Sequence, residues 1–237
     1  MTESISPVTK QVISNVEAPI PPRRRYTADR IVAAALQRVR AAGIDAVSAR
    51  TVARDLGCST APVFRCFESM DALHEAVLDQ ILALFVEATE STQDPDPLFA
   101  AGLGMVLFAA EEPRFYEALF LRPHAWTHKW GPVRKRLAAR MASHPRYAHL
   151  PPADRFGLVG RASILAHGLG VEVWFGRLPD PSEAVLRSLL HQLADPMVDA
   201  ALAHGWTADI HSARPSPLSC STADVGPQID SGVAHVY

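Results

Sequence analysis

Residues 47–73, VSARTVARDLGCSTAPVFRCFESMDAL, decide the fold. Ser48 stands as a side-chain cap ahead of a short helical run over about 48–56, with Val52 and Leu56 facing inward. Gly57-Cys58 then makes a tight turn. Behind it Ser59 offers a second N-cap, and Pro62 falls in the first helical turn, where a missing N–H costs nothing. Val63, Phe64 and Phe67 are the apolar anchors expected of this third helix. Two short helices joined across a glycine turn, the second opened by small polar residues, form a helix-turn-helix.

The same reading extends in both directions. Upstream, Ile31, Val32, Ala35, Leu36 and Val39 mark one face of a first helix, capped by Thr27 and ended by Gly43. Downstream, Leu73, Val77, Ile81, Leu84 and Phe85 line one side of a fourth helix over about 70–90. Residues 93–97, QDPDP, are the clearest interior break. Helical patterning resumes over 98–110, 114–121 and 130–143. A further break at 144–152 precedes two long helices, 153–175 and 182–204, and Pro196 is expected to kink or interrupt the second. No alternating β pattern and no internal repeat appears. The fold class is therefore all-α: an N-terminal three-helix helix-turn-helix head and a C-terminal helical body. The expected divisions are a disordered arm (1–22), the DNA-binding head (23–69), the helical body (70–204) and a disordered tail (205–237) rich in Ser, Pro, Asp and Gly.

Composition sets the class. The chain has 237 residues, 48% hydrophobic and 20% charged, which is enough for a substantial core. No run approaches the roughly 20 apolar residues of a membrane span, and the first twenty residues lack the basic-then-apolar pattern of a secretory leader. Three cysteines cannot all pair and none stands in a Cys-x-x-Cys spacing, so a reducing cytoplasm is expected. The net charge of −2 conceals a basic segment. Residues 23–65 carry nine arginines against three aspartates, a local charge of +6. Such a segment on an acidic body fits either a polyanion partner or a solvated helix surface, and charge alone does not separate them.

The sequence from Ile31-Val-Ala-Ala-Ala-Leu through Ala42-Gly43 and Val47 to Leu73 resembles the head of the tetracycline-repressor (TetR) family of bacterial regulators. The Ala-Gly turn, Val-Ala before Leu-Gly-x-Ser, the pair Phe64 and Phe67, and Ala72-Leu73 carry the likeness. The resemblance implies that the starts of helices two and three face double-stranded operator DNA. Ser48 and Arg50 then fall at helix-two contact positions, and Thr60, Ala61 and Pro62 at the tip of the recognition helix. Ser59 opens that tip, where a helix N-terminus also favours phosphate oxygens. Phe64 replaces a usual Tyr, Cys66 stands where His or Tyr is common, and Met70 replaces a Lys that grips phosphate. Arg23, Arg24 and Arg25 would offset these losses by reaching phosphate or the minor groove. Arg50 is the candidate for base readout, because arginine pairs bidentately with guanine; Arg54 and Arg65 are either phosphate contacts or solvated. Cys66 is either an oxidisable thiol or a small space filler.

For the body, the resemblance implies a C-terminal helical effector and dimerisation domain, variable in sequence, with the last two helices forming a four-helix bundle in a homodimer. Gly157, Gly160, Ala162, Ala166, Gly168 and Gly170 give one helix a small-residue surface, and Leu186, Leu189, Leu190 and Leu193 give the last an apolar stripe. These residues either meet a twofold mate or bury inside one chain. Aromatics and histidines are dense between Leu98 and Trp174. Within this stretch Met105, Phe108, Phe120, His124, Trp126, His167 and Trp174 are the candidate lining of a site for a small apolar or amphipathic effector. His124 and His128 lack a third ligand, so no metal is expected, and no cofactor other than the effector. No Gly-x-Ser-x-Gly, His-Glu-x-x-His or glycine-rich phosphate loop occurs, which argues against an enzyme. The expected role is a ligand-responsive repressor that binds a palindromic operator as a homodimer, with no membrane partner.

Overall fold

The computed structural model describes residues 26–123 and 127–204. The expected arm and tail, together with Arg23, Arg24, Arg25, His124 and Trp126, lie outside the described residues, as does the side chain of His128. Among the described residues there are nine α-helices and no strand.

Helix α1 (Ala28–Ala42) starts where the Thr27 hydroxyl accepts the Arg30 N–H at 3.3 Å, and it buries Ile31, Ala35 and Val39. After a 3-10 turn (Ile44–Ala46), α2 (Ala49–Asp55) begins at a reciprocal cap: Ser48 Oγ accepts the Thr51 N–H, and the Ser48 N–H donates to Thr51 Oγ1 at 2.9 Å. The turn to α3 (Ala61–Cys66) passes through Gly57 at φ +64°, a conformation that a side chain would strain.

Two expectations fail at α3. Ser59 is not its cap. Thr60 occupies that position with backbone already helical (φ −71°, ψ −16°) and no side-chain cap hydrogen bond, while Pro62 removes one of the N–H groups that would need one. Phe64 is not an anchor either: it is 53% exposed, because a six-residue helix has one inward position and Val63 takes it.

Helix α4 (Met70–Ser91), capped by Ser69, runs from the head into the body. Its inward side is Leu73, Val77, Ile81 and Phe85, with Leu84 half-buried. The expected boundary at Met70 thus falls on the first residue of a helix that serves both parts. Helix α5 (Pro97–Glu111) is capped by Asp96 and is buried nearly all round, packed by α4, α7 (Thr127–Met141), α8 (Pro152–Trp174) and α9 (Glu183–His204). It approaches α4 closely at Gly104, where a Cβ would stand 2.6 Å from Thr89 Cα and 2.7 Å from the Ala88 carbonyl oxygen.

The segment expected as one helix over 114–121 is divided. It is a four-residue helix α6 (Pro113–Tyr116) running into a π turn (Glu117–Leu121). Nor does Pro196 interrupt α9, which runs through it with the ring facing solvent. The stretch after α7 is held by Tyr147, fully buried, whose hydroxyl donates to Asp96 at 2.5 Å.

Head and body share one core. It runs from Ile31, Val52 and Val63 through Leu73 and Ile81 to Leu103, Leu158 and Val198. Two ion pairs cross the same junction. Arg40 on α1 meets Glu112 beside α6 at 2.7 and 2.9 Å, and Arg122 reaches Asp45 at 2.7 Å.

Candidate nucleic-acid interface and internal cavity

The exposed end of the head is formed by the start of α2 and the tip of α3. Arg50 and Arg54 on α2, and Ser59, Thr60, Ala61 and Arg65 at α3, are all exposed, and Pro62 is half-exposed. Arg50, Arg54 and Arg65 have no ion pair among the described residues. Ser48 is in the expected place but its hydroxyl is engaged with Thr51, so its first role is to start α2 and thereby aim Arg50. Cys66 is not on this surface. It is half-buried and packed on the core, its Sγ 3.9 Å from the Tyr26 carbonyl oxygen, because it lies on the side of α3 that faces α1. Met70 likewise packs against the core.

The basic excess of the segment is smaller at the surface than in the sequence. Arg38 spends its guanidinium on Asp55, bridging α1 to α2, and Arg40 spends its own on Glu112 while lying 5.0 Å from the Phe115 ring. Arg30 packs on Tyr26 at 5.8 Å. Among the described residues, the exposed arginines of the segment without an ion pair are Arg50, Arg54 and Arg65 on α2 and α3, where a helix-turn-helix needs cations.

In the body, α4, α5, α7 and α8 line a cavity of about 420 Å³ that is partly open to solvent, within the range of small-ligand sites. Phe85, Leu98, Met105, Trp130 and Val159 make its walls largely apolar. Of the expected lining residues, Met105 and His167 are there. Three others are elsewhere. Phe108 is buried edge-on against Phe85, behind the wall. Phe120 stacks on Trp130 and so backs the site instead of lining it. Trp174 donates its indole N–H to the Pro113 carbonyl and packs on Phe175. Lining residues that sequence reasoning missed include Phe85 and Glu90 on α4 and Arg134, Arg136 and Arg140 on α7, and Trp130, one of the dense aromatics of this stretch, also lines the cavity. An amphipathic helix carrying cations along its length, as α7 does, reads as a solvated face, and nothing in its pattern distinguishes a cavity wall.

One polar contact ties the cavity to the junction with the head. The Tyr116 hydroxyl lies 2.8 Å from His167 Nδ1 and 3.2 Å from the His167 carbonyl oxygen. Burial holds the His167 imidazole below its usual pKa, so it is neutral at pH 7, and burial pushes the Tyr116 phenol well up. The ring fits only because residue 170 is Gly: a Cβ there would sit 2.5 Å from the Tyr116 oxygen.

The expected dimerisation stripe splits in two. Leu186 and Leu190 belong to the chain's own core, at 0% and 3% exposure, because α9 turns that side to α5 and α8. Gly157, Gly160, Ala166 and Gly170 are buried in the same way, admitting neighbours within one chain. What faces outward is Leu189 (half-exposed) and Leu193 (51% exposed) on α9, and Ile164, Gly168 and Phe175 on or just after α8.

No protein-family profile and no curated protein matches the chain. Solved structures do. A TetR-like transcriptional regulator from Rhodococcus sp. RHA1 superposes with a TM-score of 0.54 at 18% identity, over 72% of this chain and 94% of that one. A protein assigned to the TetR family from Vibrio parahaemolyticus gives 0.51 at 19% identity, over 73% and 97%. A protein assigned as a transcriptional regulator from Streptomyces coelicolor gives 0.52 at 20% identity, over 72% and 97%. The all-α chain, a helix-turn-helix head joined through α4 to a helical body with an internal cavity, thus has the fold of the TetR-like transcriptional regulators.

Proposed function

We propose that the protein is a DNA-binding transcriptional regulator, acting in the cytoplasm as a ligand-responsive repressor that holds a palindromic operator as a homodimer. The observation that carries this reading is the exposed set of Arg50 and Arg54 on α2 and Arg65 in the last turn of α3, unpaired among the described residues while Arg38 and Arg40 are spent internally. A single head of this size reads few base pairs. Two heads spaced one helical turn (~34–36 Å) apart multiply specificity, which favours a dimer. The outward apolar residues of α8 and α9 are where a second copy would seat.

Release would follow from the cavity. Phe85, Val86, Thr89 and Glu90 line it from the last turns of α4, whose first residue lies in the head. At 1.5 Å per residue, α4 is a lever of roughly 33 Å. A ligand that tilts it changes the spacing of the two heads. A coupling of ~1–3 kcal/mol is typical and weakens operator binding about 5- to 150-fold. A gel shift on DNA upstream of the protein's own gene tests the first half. Failure to retard any inverted repeat at low salt would sink the repressor reading.

A further inference from the structure

We infer that the cavity takes an apolar molecule bearing one anionic group, a carboxylate or a phosphate, held by the Arg134 guanidinium. The inference rests on the reading of this cavity as the effector site and names the chemistry of its ligand. Two features of the lining carry it: which hydrogen-bonding capacity is already used, and which is left.

The oxygen groups are occupied. Ser163 donates its hydroxyl to the Val159 carbonyl at 2.7 Å, and Thr89 donates to the Val86 carbonyl at 2.8 Å. His167 engages Tyr116 through Nδ1, which leaves Nε2 of its neutral ring. Glu90, the single carboxylate of the lining, pairs with Arg136 at 2.8 Å and has Arg140 at 4.0 Å. Three arginines therefore line the cavity against one carboxylate, leaving an excess of two positive charges at an apolar site. Arg134 is the one without an ion pair among the described residues. Its Nε–H is buried with no hydrogen-bond partner, and its guanidinium carbon lies 5.5 Å from the Phe156 ring, a contact that attracts a cation but accepts no conventional hydrogen bond. A buried donor without an acceptor is uncommon in folded proteins and signals a missing partner. The planar guanidinium fork matches carboxylate and phosphate oxygens in particular. A cationic ligand would meet the same charge excess as repulsion, and a neutral one would leave the Arg134 charge unpaired.

Calorimetric titration of the full chain, without DNA, tests this with four decyl probes below their micellar concentrations: decanoate, decyl phosphate, decanol and decyltrimethylammonium. One or both anions should bind at least tenfold tighter than decanol, and the cation should bind more weakly than decanol; comparing the two anions separates a carboxylate from a phosphate ligand. Arg134→Gln should bring the anion within about threefold of decanol while leaving decanol unchanged, and Arg134→Lys should keep part of the preference. Melting curves establish that the variants fold; if Arg134→Gln does not, the wild-type head-group series and Arg134→Lys decide. Decanol binding as tightly as both anions, or an undiminished preference in folded Arg134→Gln, overturns the inference and leaves the cavity as an effector site. No binding by any probe overturns both. Tight anion binding that fails to release DNA in a gel shift supports the inference and removes the ligand-responsive part of the proposed function.

Discussion

Replacing Arg50 with Ala should separate base reading from simple attraction to phosphate. The side chain is exposed near the start of α2 and has no ion pair among the described residues, so its removal should change global stability by no more than about 0.5 kcal/mol. Its effect on operator binding should be far larger. A bidentate arginine–guanine contact discriminates by about 1–3 kcal/mol, and a dimer makes it twice, giving about 2–6 kcal/mol, or at least about 30-fold. Fluorescence anisotropy on the operator and on a scrambled duplex of equal length, across a salt series, reads this. Arg50→Ala should lose affinity for the operator while its affinity for the scrambled duplex moves little. Arg54→Ala and Arg65→Ala should weaken both duplexes and reduce the salt slope by about 0.9 per head for each phosphate that is no longer neutralised. Arg38→Ala is the control: it breaks the brace to Asp55, costs about 1 kcal/mol of stability or less, and leaves the operator-to-scrambled ratio alone. Equal losses on both duplexes for Arg50→Ala, or none, would refute its placement against a base edge.

Four further outcomes are expected. Gly104→Ala should lower stability by about 1–3 kcal/mol in urea denaturation, because the added Cβ meets the backbone of α4 at Thr89 and Ala88. Leu193→Glu should give a folded monomer in sedimentation velocity, whereas Leu190→Glu, inside the core, should not fold. Tyr116→Phe should cost about 1 kcal/mol by removing the hydroxyl shared with His167, measured by the same denaturation. Between pH 7.5 and 5.5 stability should fall as the pH falls through the unfolded histidine value near 6.5, because His167 titrates lower when folded and the unfolded chain takes up the proton first; a His167→Gln variant should show a shallower fall, and an equal slope would argue against that burial effect.

The head is legible in the sequence because its rules are local. Thr27, Ser48 and Gly57 each satisfy a backbone requirement within three or four residues of themselves, so caps and turn read directly from the chain. Phe64 escapes such a reading because aromaticity predicts burial in general, while the direction of a six-residue helix is set by which of its residues meets α1 and α2. The body is legible in helices and not in faces. Leu186, Leu189, Leu190 and Leu193 are alike in sequence, and only the packing of α9 on α5 and α8 sorts the first and third inward. The cavity is least legible. Phe108 and Met105 lie three apart on α5, yet the first is behind the wall and the second in it, and the charged residues that shape the site come from α4 and α7, whose patterns also suit plain solvent exposure.

A second connection between cavity and head follows from the division of the 114–121 segment. Trp130 and His167 line the cavity, and both touch Phe120, which lies in the π turn directly after α6. Tyr116, at the end of α6, is bonded to His167, and Glu112 at its start holds Arg40 of α1. A π turn carries a wider backbone ring than the α-helix around it, so shortening it to α geometry would rotate the residues beyond it by a fraction of a turn. A ligand displacing Trp130 would then act on α1 through α6 as well as on α3 through α4. The two routes differ in what breaks them. Arg40→Ala severs the ion pair to Glu112 but leaves the lever of α4 intact, so it should lower ligand-induced release without changing ligand affinity. If release is unaltered in Arg40→Ala, the Arg40–Glu112 pair carries none of the signal, and the double variant Arg40→Ala, Arg122→Ala tests whether Arg122–Asp45 carries it instead.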